Sequence, residues 1–238
     1  MAETFDWIFF DCFNTLIDDF DEAGEEHGLC SLPAFAVDHG LFATREEFVA
    51  AYQGCRGEAY AQGREMVLTE RLQRTIAVST KVSPDAAEQA RLVTAMTRIW
   101  AEEYDRLLRP TPDVAAMLAH WSARKPIGVV SNFFLPDAPE RFLARFGLRE
   151  HFRFVVDSAR FGFRKPHTAI FDEALQQAGL TRSDAGRVLF IGDRIDLDVE
   201  TPRALGMQVI HFHRGKTRLR VAPTPAGVRA IGSWAEFR

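Results

Sequence analysis

Four short apolar runs each end on a polar residue of a chemically useful kind. They are Trp7–Phe10 before Asp11, Ile127–Val130 before Ser131, Phe154–Val156 before Asp157, and Val188–Ile191 before Gly192-Asp193. A fifth, Val209–Phe212, ends in His213-Arg214. None alternates apolar with polar, so these are strands to be covered on both faces, as in a parallel sheet between two layers of helices. Helical patterns separate the later runs. Thr111-Pro112-Asp113 has the form of an N-cap, a proline in the first turn and an acid, ahead of VAAMLAHW. His167 to Ala178 reads as a second helix, closed by Gly179. Alternation from about Pro110 onward predicts an α/β fold with a doubly wound parallel sheet.

The stretch between the first run and Pro110 has a different texture. Ser83-Pro84-Asp85 opens a long helix in which Val93, Met96, Trp100, Tyr104 and Leu107 recur at three- and four-residue spacing. No strand-like run interrupts it, so residues 18–108 are expected to form an all-helical insert. The core domain is then residues 1–17 and 109–238. The acidic, glycine-containing segment Asp18–Cys30 reads as a hinge or entry into that insert.

Composition narrows the partners. A net charge of −4, with no basic tract, gives no reason to expect nucleic acid or an anionic membrane surface. No apolar stretch approaches the ~20 residues needed to span a bilayer, and the first ten residues lack the basic, apolar pattern of a secretory signal. Three irregularly spaced cysteines, Cys12, Cys30 and Cys55, suit free thiols in a reducing compartment, so a cytoplasmic protein is expected. The 20 Phe against 3 Tyr point to a phenylalanine-rich core. Oligomeric state has no signature in the chain.

Ligands of open α/β sheets bind outside the carboxyl ends of the strands. Those ends carry Asp11, Ser131-Asn132 and Asp193, and Lys165 precedes a helix on a neighbouring loop. A carboxylate, a hydroxyl, an ammonium group and a second carboxylate converging on one crevice suit nucleophilic attack on a group whose negative charge must be held. Singly, each residue reads as turn, cap or surface chemistry; the order and spacing of all four carry the signal.

In that order they resemble the haloacid dehalogenase superfamily over essentially the whole length. The residues Asp11-Cys12-Phe13-Asn14-Thr15-Leu16 match its first motif, an Asp followed by x-x-x-Thr-Leu. VVSN with Ser131 matches the second, Lys165 in FRKPHTAIF the third, and IGDRIDLD the fourth, with Asp193 and Asp198 as its acids and Asp196 an extra carboxylate. The resemblance implies a Rossmann-like core with a helical cap. It also implies that Asp11 forms a covalent intermediate, that Ser131 and Asn132 border the transferring group, and that Thr15 belongs to the nucleophile motif. Lys165 would neutralise charge. Asp11, the Phe13 carbonyl, Asp193 and Asp198 would form the surroundings of Mg²⁺.

One position departs from the pattern. Family phosphatases carry a second Asp two residues after the nucleophile, as general acid and base, and this chain has Phe13. Loss of such a group typically costs ~10²–10⁴ in rate. The resemblance therefore leaves three readings of the substrate and activity. One is a Mg²⁺-dependent phosphatase of a small phosphorylated metabolite, either with a readily departing leaving group or with an acid borrowed from the cap. The second is a metal-independent 2-haloacid dehalogenase, since halide leaves without a proton. The third is a weakly active or non-catalytic relative that binds metal or phosphate. Asp193 favours the first, because dehalogenases replace that acid. Dehalogenases also carry an early cap arginine, whereas here none falls between Asp11 and Arg45. A lysine-based phosphonate chemistry would need Lys81, the single lysine of residues 18–108, whose context does not suit it.

Overall fold

The structure, a computed structural model, describes residues 5–20, 28–79, 81, 83–214 and 223–237. In chain order its strands and helices are β1 (Trp7–Phe10), β2 (Ile17–Asp18), α1 (Leu32–Asp38), α2 (Arg45–Gly54), α3 (Gly57–Ala61), α4 (Leu68–Ala77), α5 (Ala86–Asp105), β3 (Arg109–Pro110), α6 (Val114–Ser122) and β4 (Ile127–Ser131). The chain continues through α7 (Ala138–Arg145), β5 (Phe154–Asp157), α8 (Ser158–Phe161), α9 (Thr168–Gln177), β6 (Val188–Gly192), α10 (Glu200–Ala204), β7 (Gln208–Phe212) and β8 (Arg229–Ile231).

Six strands form one parallel sheet in the order β5-β4-β1-β6-β7-β8. The five apolar runs all lie in it; β8, whose residues are largely exposed, has no such run and was not legible. Side chains along β1 alternate between two cores. Ile8 and Phe10 pack with Leu118 and Trp234 on one face, and Phe9 packs with Ile170 and Phe171 on the other. Both faces are apolar, which is why the run shows no alternation. The doubly wound α/β expectation holds.

Between β2 and β3 every described element is a helix. The chain leaves and returns through an antiparallel pair in which Ile17 faces Pro110 and Asp18 faces Arg109. Arg109 and Arg214 both reach the buried Asp18, which closes this junction electrostatically. A second seam joins the helical part to the sheet domain: Glu65 N–H donates to the Gly162 carbonyl at 2.9 Å and Arg164 N–H to that of Gly63 at 2.9 Å. Within Asp18–Cys30, residues 21–27 lie outside the described ones, so the hinge expectation falls largely beyond them.

One local expectation needs correction. Helix α6 begins at Val114, with Asp113 left-handed at φ 64°, so Thr111 does not cap it. The Thr111 hydroxyl instead donates to the Thr15 carbonyl at 3.1 Å and accepts from Trp234 Nε1 at 2.8 Å. Burial between the first motif and the C-terminal segment outcompetes the local capping preference. By contrast, Asp85 caps α5 as its sequence context suggests, accepting from Glu88 N–H at 2.8 Å.

Candidate active site

Strand β1 lies between β4 and β6, so their carboxyl ends bring Asp11, Ser131 and Asp193 side by side. Carboxylate oxygens of Asp11, Asp193 and Asp198 all lie within 4.8 Å of one another. Lys165 Nζ donates to Asp11 Oδ1 at 2.7 Å and to Asp198 Oδ1 at 2.6 Å, and is 1% exposed. Two of the three carboxylates, Asp11 and Asp198, thus share one ammonium group. Burial raises the Asp193 pKa well above the ordinary carboxylate range, and the neighbouring Asp11 charge adds to the rise. Burial also raises Asp198, partly offset by Lys165. Burial alone would lower the Lys165 pKa, but Asp11 and Asp198 outweigh it and the ammonium form is held.

Each member is positioned by its own element. Asp198 follows β6 in a π-helical turn, Ile195–Val199, and its Oδ2 accepts from Arg194 N–H at 3.0 Å. Gly192 makes this approach possible: a Cβ there would sit 2.5 Å from the Asp198 carboxyl group. Thr15 Oγ1 stands 3.5 Å from Asp193 Oδ1, at the outer limit of a hydrogen bond. Ser131 is fully buried and its hydroxyl has no hydrogen-bond partner. The Asn132 side chain works on Lys165 instead of facing outward. Its Oδ1 accepts from Lys165 N–H at 2.7 Å and its Nδ2 donates to the Lys165 carbonyl at 2.8 Å. Asp196 turns away into an exposed ion pair with Arg194 at 2.8 Å.

Phe13 belongs to an aromatic cluster. Its ring stacks on Phe133 with centroids 4.3 Å apart, and Tyr104 and Phe142 flank it at 6.1 and 6.2 Å. It lines a cavity of about 470 Å³ between the helical part and the sheet domain. Phe13→Asp would place a carboxylate against these rings, so it is expected to lower stability by about 3 kcal/mol or more, measurable by denaturant titration. An unchanged midpoint would mean the ring contributes no packing.

The same cavity holds residues that sequence reasoning missed. Asp19 lines it with Oδ1 buried and unpartnered, while its Oδ2 accepts from Tyr104 at 2.8 Å; burial raises its pKa. Arg71, Arg56 and Glu65 were also passed over. The signal for Arg71 exists: it shares the buried face of α4 with Leu68, Leu72, Thr75 and Ile76, where an arginine is out of place unless it has a task. Arg45 is exposed at the start of α2.

A parallel sheet thus gathers three carboxylates and a lysine at the ends of its central strands. The profile of the haloacid dehalogenase-like hydrolases matches residues 5–206, and the chain belongs to that family. Pyrimidine 5'-nucleotidase YjjG of Escherichia coli is 30% identical over 226 residues, 92% of each chain. Glyceraldehyde 3-phosphate phosphatase of Methanocaldococcus jannaschii is 32% identical over 111 residues, 46% of this chain and 47% of its own. Among solved structures, 2-haloacid dehalogenase of Pseudomonas syringae superposes with a TM-score of 0.73 at 19% identity, covering 98% of this chain and 96% of its own. A predicted phosphoglycolate phosphatase of Haemophilus somnus gives 0.67 at 18%, covering 100% and 98%. These structural likenesses concern the fold. No helix among the described residues is long and apolar enough to cross a membrane.

Proposed function

We propose that the chain is a Mg²⁺-dependent phosphatase acting through Asp11 on a small phosphorylated metabolite whose leaving group departs with little help from a proton. The observation that carries this reading is the trio Asp11, Asp193 and Asp198 within 4.8 Å of one another, with Lys165 paired to two of them. Three carboxylates against one ammonium leave a surplus of negative charge that a hard divalent cation with oxygen ligands suits. The relatives named as nucleotidase and phosphatase act, by their names, on phosphate esters, which agrees with it.

Asp11, the Phe13 carbonyl and Asp193 would hold the ion, with Asp198 behind them. When bound, Mg²⁺ would supply charge neutralisation between the carboxylates and the incoming phosphoryl oxygens. Lys165 takes Asp11 Oδ1, leaving Oδ2 to attack phosphorus; the P–O bond to the leaving group breaks and its electron pair leaves with that oxygen. The buried Ser131 hydroxyl, without a partner in the protein, donates to a phosphoryl oxygen. Asn132 fixes Lys165 from behind, and Thr15 orients Asp193. Water then cleaves the aspartyl phosphate, releasing phosphate and restoring Asp11. Helices α1–α5 act as the cap over this crevice. With Phe13 in place of an acid, aryl and acyl phosphates are expected to turn over roughly 10² faster than alkyl phosphates.

The test is a phosphate-ester panel assayed for released phosphate with Mg²⁺ and with excess chelator. Hydrolysis is expected only with the metal. Lowering the pH from 8 to 5 is expected to weaken Mg²⁺ binding, because Asp193, with its raised pKa, must lose its proton to ligate. Full activity in chelator would sink the proposal. Metal-independent dehalogenation is the second reading, favoured by Phe13 and by the arginines in the cavity. Chloride release from 2-chloropropionate in chelator would establish it.

A further inference from the structure

The cap side of the cavity carries more positive charge than its carboxylates neutralise. Arg56, Arg71 and Arg164 all line it, with guanidinium carbons 5.5, 5.0 and 3.7 Å from the Tyr60 ring centre. Glu65 serves two of them, 3.8 Å from Arg71 Nη2 and 3.2 Å from Arg164 Nε. Arg56, half-buried, has no ion-pair partner among the described residues. Arg71 is 2% exposed; its Nη1 donates to Tyr52 at 3.2 Å, while Nε and Nη2 are buried without hydrogen-bond partners. Those two donors form one edge of the guanidinium fork, the edge that takes an anion in two parallel bonds. Glu65 faces this edge only at Nη2 and at 3.8 Å, beyond hydrogen-bond range. Leaving both donors without a hydrogen bond in a buried place is costly, so such an edge calls for a ligand. Beside it, Phe133 and Phe134 stack with centroids 4.9 Å apart, and Trp100 meets Phe134 at 4.8 Å. Phe133 is stacked between Phe13 and Phe134, so these rings give the cavity an apolar wall, and about 470 Å³ has room for a body beyond one phosphoryl group.

We propose that Arg56 and Arg71 form a second anion subsite, which binds a carboxylate or phosphoryl group on the far end of a planar leaving group lying against Phe133 and Phe134. This rests on the phosphatase reading for the near end of the substrate. The anion meets Arg56 first, at the half-buried side, and reaches the Arg71 edge beneath it as the fork turns. A conjugated, anion-bearing leaving group is also one whose oxygen departs with little protonation, which matches a site with Phe13 in place of an acid.

The experiment compares phenyl phosphate, 4-carboxyphenyl phosphate and 1,4-phenylene bisphosphate, using the full chain with Mg²⁺. A kcat/KM preference of tenfold or more for a charged ester over phenyl phosphate is expected, and the favoured ester identifies the anion. In Arg71→Met and Arg56→Met the ratio is expected to fall toward one. Arg56, half-buried, gives a readable variant if Arg71→Met does not fold. In parallel, calorimetric titration compares 4-hydroxybenzoate and 4-hydroxyphenylphosphonate, which has no ester bond to hydrolyse, with phenol as ligands. A charged ligand is expected to bind at least tenfold tighter than phenol, and both variants to lose that margin. Hydrolysis of all three esters at equal kcat/KM, or ratios unchanged in both variants, would overturn the subsite and leave the phosphatase reading standing. No hydrolysis of any ester, with the binding preference intact and lost in the variants, would overturn the phosphatase reading and keep the subsite. Equal binding of phenol and both charged ligands would reject the subsite whatever the hydrolysis shows.

Discussion

Asp11→Asn is expected to reduce phosphate release to the background level, a loss of roughly 10⁴-fold or more, as removal of a covalent nucleophile does. The amide is nearly isosteric but cannot attack phosphorus. Lys165 keeps Asp198 at 2.6 Å, and the carboxylate cluster loses one of its three mutually repelling charges. The fold should therefore survive with a thermal midpoint within a few degrees of wild type. This separates the chemistry from stability. Acid quench of the wild-type enzyme during turnover should trap protein-bound phosphate, and the variant should trap none. A variant rate within tenfold of wild type would remove Asp11 from the role of nucleophile.

Lys165→Met should have the largest effect on stability. It deletes the one ammonium group that pairs with Asp11 and Asp198 among the described residues, leaving the buried carboxylates without their hydrogen-bonded cation. Breaking a buried ion pair by removing one partner typically costs ~3–5 kcal/mol. For a chain of this size that corresponds to a fall of roughly 6–20 °C in the midpoint. The sign of the pH dependence follows from the carboxyl groups. Asp193 and Asp198 already have folded-state pKa values above the ordinary carboxylate value, and Lys165 lowers both. Without it those values rise further. The folded state then gains protons relative to the unfolded chain as pH falls, so the deficit should be largest at pH 8 and shrink toward pH 5. Mg²⁺ should raise the midpoint of the variant more than that of wild type, since the ion replaces part of the missing charge. Calorimetry with and without Mg²⁺ at the two pH values measures both; a pH-independent deficit would mean that the lysine acts through packing alone. Activity should fall by ~10²-fold or more, because charge developing at the phosphoryl group loses its fixed cation.

Why these two residues were legible, while the cavity was not, follows from how each is encoded. Asp11, Ser131 and Asp193 follow strands whose apolar runs announce them, and the order of a parallel sheet sets their ends side by side. Lys165 sits beside them in sequence logic only through the spacing of motifs, and the family pattern supplies its place. Asn132 was read as bordering the reaction, yet its amide is engaged with the Lys165 backbone on both sides, a fact fixed by a loop geometry with no local signature. The misplaced cap at Thr111 has the same origin. Its hydroxyl had a local use and a distant one, and burial against Trp234 decided between them.

From the residues alone came the α/β class, the helical character of the insert and the identities of the acids, hydroxyl and lysine at the strand ends. These depend on periodicity and on short-range order, which the chain carries along its length. Tertiary structure alone decided that Phe13 closes an aromatic cluster instead of merely lacking a carboxylate. It also decided that Arg56, Arg71 and Arg164 meet around the Tyr60 ring, with Glu65 serving two of them. Those contacts join residues from the helical part to the sheet domain, and their energies depend on burial and mutual distance. Neither quantity exists until the two parts pack together.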